Sequence, residues 1–71
     1  MIVHSFVERR MAQIPACGAT LTLKIAKVEY AVSTIRFDGR IYTRVTRGPV
    51  VAHYEGDLDT HQAASLLHKR R

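Results

Sequence analysis

The chain has 71 residues, with 11 Lys or Arg against 6 Asp or Glu, a formal net charge of +5 and an isoelectric point near 10.0. This length fits one domain, residues 1–71, with little interior to spare for an enclosed substrate pocket, and 46% hydrophobic with 24% charged residues excludes general disorder. A lone Cys17 excludes an internal disulfide, no apolar run reaches the ~18 residues of a membrane span, and MIVHSFVERR lacks the layout of a secretory signal, so a cytoplasmic protein without membrane contact is expected.

In residues 3–14, Val3, Phe6, Val7, Met11 and Ile14 recur at helical spacing. Ser5 and Glu8 have the spacing of a capping box, and Pro15 pushes the preceding residue out of the helical region. Arg10 interrupts the apolar stripe, but a strand over residues 2–8 would lack alternation, so the pattern predicts an N-terminal helix. PACGA, residues 15–19, reads as a loop. Cys17 lies there as an isolated thiol with no base nearby in the sequence.

Residues 20–37 are rich in Thr, Val, Ile and Tyr, which suit a pleated surface. Leu21, Leu23 and Ile25 alternate with polar residues, and then the phase flips to Val28, Tyr30 and Val32. Leu21, Ile25, Val28 and Val32 also match helical spacing, but the β-branched content decides for strands. One strand of this length is too long for so small a domain, which predicts a bulge, bend or tight turn near residues 26–29, although no Gly or Pro marks it.

Asp38–Gly39, between alternating apolar runs, is a hairpin signal. A two-residue turn pairs Phe37 with Arg40 and Ile35 with Tyr42. A three-residue loop pairs Ile35 with Ile41 and gathers Val45 onto the same face; register follows the buried face, so the second is expected. Gly48–Pro49 predicts the next turn, VVAHYE (residues 50–55) a further strand, and Gly56 its end. Tyr30, Tyr42 and Tyr54 recur at the spacing of consecutive meander strands. DLDTHQAASLLHKRR, residues 57–71, reads as a helix. Asp57 or Asp59 caps it; Ala63, Ala64, Leu66 and Leu67 form its apolar stripe; Lys69, Arg70 and Arg71 complement its dipole; His61, Ser65 and His68 fall on the solvent side.

The expected fold is α+β: a three- or four-stranded antiparallel meander with a C-terminal helix packed on one face and an N-terminal helix completing the core. In the preferred register Arg36, Arg40, Tyr42, Arg44 and Thr46 share the face away from Ile35, Ile41 and Val45. With Tyr30 and Tyr54 on that face, and Arg47, Lys69, Arg70 and Arg71 near it, guanidinium groups interleave with rings. Such a surface suits an acidic protein partner, since Arg and Tyr are enriched at interface hot spots. It also suits nucleic acid, through phosphates and stacked bases. The bland alternative is a solvated face that guards edge strands with charge.

Glu55, Asp57, Asp59 and His61 lie close in sequence, but the two aspartates read as helix caps, and the four histidines with Cys17 lack zinc-ligand spacing. No phosphate loop or nucleophile motif is present, so no cofactor and no enzymatic activity are expected. The order helix, strands, helix is similar to that of the double-stranded-RNA-binding domain. The last helix here opens with DLDTHQAAS rather than a lysine-rich start, and GRIYTRV does not match the strand motif of RNA-recognition domains, so no family is assigned. The sequence favours a non-enzymatic inhibitor that masks an acidic protein surface, with a nucleic-acid-binding regulator as the alternative. Its size is that of many phage and mobile-element accessory proteins, and an edge strand offers a route to a homodimer.

Overall fold

A computed structural model describes residues 11–69. Four strands form one open antiparallel sheet in chain order: β1 (Leu21–Ile25), β2 (Val28–Phe37), β3 (Arg40–Arg47) and β4 (Val50–Glu55). A single helix follows, α1 (Thr60–Lys69), packed on one face. This is the predicted α+β meander with its C-terminal helix. The predicted N-terminal helix lies outside the described residues except for residues 11–14, where the Ile14 N–H donates to the Met11 carbonyl at 3.1 Å.

Two-residue turns join the strands. Asp38 and Gly39 both have positive φ, 54° and 74°, the backbone signature of a type I′ hairpin. Phe37 accordingly pairs with Arg40 and Ile35 with Tyr42, which corrects the three-residue loop expected from the sequence. That expectation assumed one buried face, whereas β2 is buried on both: Tyr30 and Val32 on one side, Ser33 and Ile35 on the other. The predicted turn near residues 26–29 is present at Ala26–Lys27, with φ of 52° and 68°. Positive φ at two successive non-glycine residues is unusual, because each meets a steric penalty that glycine escapes.

The main core fills the space between α1 and the sheet. Tyr30, Val32, Val45 and Ala52 meet Ala63, Ala64 and Leu67, with Leu23, Ile25, Tyr54 and Leu58 around them. Full burial of a side chain such as Leu67 contributes about 1.5–3 kcal/mol. Asp59 caps the helix: its carboxylate accepts the His61 and Gln62 N–H groups at 3.1 and 3.4 Å. Thr43 anchors the approach to α1, its hydroxyl donating to the Gly56 carbonyl at 2.7 Å and accepting the Leu58 N–H at 2.9 Å. Leu66 lies outside the core at 41% exposure, so the apolar stripe is narrower than the sequence indicates.

Part of the opposite face is also covered. Ser33, Ile35 and His53 are buried there, and Arg44 reaches the carbonyls of Met11 and Ile14, which lays residues 11–14 against it. Beyond the reach of β1, the Cys17 N–H donates to the Thr34 carbonyl at 2.7 Å and continues the pairing along β2.

Candidate docking surface

Cross-strand partners place their side chains on the same side of a sheet. Val32 pairs with Val45 and Val45 with Ala52. This row defines the helix side, to which Tyr30, Arg36, Ile41, Arg47 and Tyr54 also belong. Ile35 pairs with Tyr42 and Arg44 with His53, so Arg40, Tyr42, Arg44 and Thr46 lie on the opposite face with Ile35. The continuous Arg/Tyr surface drawn from the sequence is therefore split between two faces. Its cause is the two-residue turn, because a one-residue change of register flips a strand's side chains relative to its partner.

The predicted residues have correspondingly different surroundings. Tyr30 is fully buried, its hydroxyl 2.6 Å from His68 Nδ1 and its ring edge-on to the imidazole at 5.9 Å. Tyr54 is half-buried, and its enclosed hydroxyl has no hydrogen-bond partner among the described residues. Tyr42 is half-buried and packs edge-on to Phe37 at 6.3 Å. Arg36 is exposed beside the hairpin turn, and Arg40 makes an exposed ion pair with Glu55 at 3.4 Å, a type of contact worth little in water. Arg70 and Arg71 lie outside the described residues.

Arg44 is a structural latch. Its Nε donates to His53 Nε2 at 3.1 Å, and its Nη2 donates to the carbonyls of Ile14, at 2.7 Å, and Met11. Burial lowers its pKa from the ordinary value, yet a guanidinium stays protonated at neutral pH. One side chain thus ties the segment before Pro15 to β3 and β4. The Arg47 side chain, on the same strand and the other face, has no hydrogen bond or ion pair among the described residues.

Charge is segregated between the ends of the meander. The Ala26–Lys27 and Gly48–Pro49 turns share one end, and the Tyr30–His68 hydrogen bond brings the C-terminus of α1 to it. Lys27, Arg47, His68 and Lys69 gather there. Glu29 is near, but on the far face and opposite Lys24. The other end carries Asp38, Glu55, Asp57 and Asp59 with Arg36 and Arg40. At the basic end an open cleft of about 410 Å³ is lined by Val28, Tyr30, Arg47 and His68. Tyr30 forms its floor, sealed from water, and its hydroxyl fixes the orientation of the imidazole.

The sequence assigned His68 to the solvent side. The structure turns it to the sheet, where it is half-buried. A signal was present, because His68 stands four residues after the buried Ala64 and shares its helix face. Lys27 carried no such signal, since Ala-Lys is not a turn pair by composition.

Among the described residues, no group of three or more His, Cys, Asp or Glu is placed to hold a metal ion, and no helix is long and apolar enough to cross a membrane. Comparison with family models, curated proteins and solved structures finds no match to the chain.

Proposed function

We propose that this chain is a non-enzymatic binding protein that masks an acidic surface on a protein partner, and that it docks through its basic end. The segregation of charge carries this proposal: Lys27, Arg47, His68 and Lys69 converge at one end with no carboxylate among the described residues on the helix side there. The +5 net charge adds long-range attraction, which speeds encounter with an acidic partner.

The Ala26–Lys27 turn supports the same end independently. Type I′ turns favour Asn-Gly, and a side chain at positive φ costs about 1–2 kcal/mol per residue. The chain tolerates that strain and presents an exposed lysine at the tip. Strain of this kind concentrates at working sites.

The tyrosines favour a protein over a nucleic-acid partner. Single-stranded nucleic acid is held by bases stacked on exposed rings, but Tyr30 is fully buried and Tyr42 and Tyr54 are half-buried on opposite faces. An accessory inhibitor of the kind phages and mobile elements carry would work by such stoichiometric masking.

Affinity capture from native lysate tests the proposal, using the wild-type chain and the Lys27→Glu/Lys69→Glu variant, each with and without nuclease. A defined acidic protein should be retained after nuclease and lost with the variant. Nuclease-sensitive retention, or retention that ignores the charge reversal, would refute it.

A further inference from the structure

We infer that the cleft between β2, β3 and the end of α1 receives an apolar side chain carried next to a carboxylate on an acidic protein segment. This rests on the basic end being the docking surface and specifies what that surface recognises.

The walls dictate the ligand. Val28 is 37% exposed and lines the cleft. Val50 is 40% exposed and is the cross-strand partner of Arg47, so the two residues are neighbours on the same face. Arg47 thus has the exposed Val50 as its neighbour on β4 and shares the cleft lining with the exposed Val28. A site for a bare anion would surround it with polar donors; here the polar side chains are Arg47 and His68, set beside Val28 and the Tyr30 ring. Polar groups set into apolar walls are the usual composition of a specific recognition pocket.

Among the described residues no carboxylate competes for Arg47, and its planar fork matches a carboxylate in two-point contact. The Tyr30 hydroxyl occupies His68 Nδ1 at 2.6 Å and leaves the other ring nitrogen for a ligand. An apolar side chain seated against Val28 and Val50 removes their exposed surface from water, while the adjacent carboxylate meets Arg47. Nucleic acid carries its phosphates on oxygen-rich sugars rather than beside hydrocarbon side chains, so this composition fits protein better.

Fluorescence anisotropy on the full chain tests the inference with three labelled probes: an alternating Leu-Glu decapeptide, an alternating Ser-Glu decapeptide of equal charge, and a dT12 oligonucleotide. The Leu-Glu probe should bind at least about tenfold more tightly than the Ser-Glu probe. Its complex should shift the amide resonances of Val28, Arg47 and His68. Arg47→Ala should weaken the Leu-Glu probe by about tenfold or more, and Val50→Ser should narrow the gap between the two peptides; circular dichroism reports whether each variant is folded. Equal binding of both peptides would overturn the cleft inference while leaving the basic-end proposal standing. Binding of neither would overturn both. Tightest binding of dT12, or peptide shifts confined to the 36–41 hairpin, would also overturn the inference.

Discussion

Arg44 and Arg47 stand three residues apart on β3, yet they do different work. Around Arg44 the sheet is covered, and its guanidinium is consumed by His53 and two backbone carbonyls. Around Arg47 the sheet is open, and the guanidinium lines a cleft with no ion-pair partner among the described residues. The period-2 alternation of a strand separates them: odd spacing sends the two to opposite faces. Arginine content alone therefore did not reveal a binding surface; only the register showed which arginine is left without a side-chain partner among the described residues.

The largest expected effect falls on the covered side. Arg44→Ala strands the Met11 and Ile14 carbonyls and removes the donor to His53, and should cost about 2–3 kcal/mol. In urea denaturation the midpoint should fall clearly, and Arg44→Lys should recover little, since an ammonium lacks the fork. An Arg44→Ala chain as stable as wild type would show that residues 11–14 are not held by this latch.

Next is a gain. Ala26→Asn combined with Lys27→Gly replaces a strained turn by the preferred pair and should stabilise by about 1–2 kcal/mol. The same change removes a cation from the basic end and should weaken capture of the acidic partner. A more stable chain with undiminished binding would remove the turn from the docking surface.

Two smaller effects sharpen the contrast. Asp59→Ala deletes the cap of α1 and should cost about 1 kcal/mol by thermal unfolding, without changing probe binding. Arg47→Ala should change stability by no more than about 0.5 kcal/mol, as expected of a side chain outside any network. A loss comparable with that of Arg44→Ala would mean that Arg47 too is structural.

Much of the fold was legible in the sequence. Asp-Gly, Gly-Pro and the break after Ile25 marked all three turns, and the run after Asp57 marked the helix. The surface was not, because it depended on register. The sequence pattern offered two pairings at Asp38–Gly39, and the rule of gathering aliphatics on one face chose the wrong one. Burial of Ile35 on the second face reversed that choice, through a cover that includes residues far away in sequence. His68 was misplaced for a related reason. Its partner Tyr30 is 38 residues away, and only the packing of α1 brings the two together.

Reversing charge at each end of the sheet in turn tests the central claim most directly, with binding of the Leu-Glu decapeptide as the readout. Lys27→Glu/Lys69→Glu should abolish binding, whereas Arg36→Glu/Arg40→Glu at the hairpin end should leave it within about twofold of wild type. Loss of binding in the hairpin variant with retention in the basic-end variant would contradict the account and return the docking surface to the 36–41 hairpin.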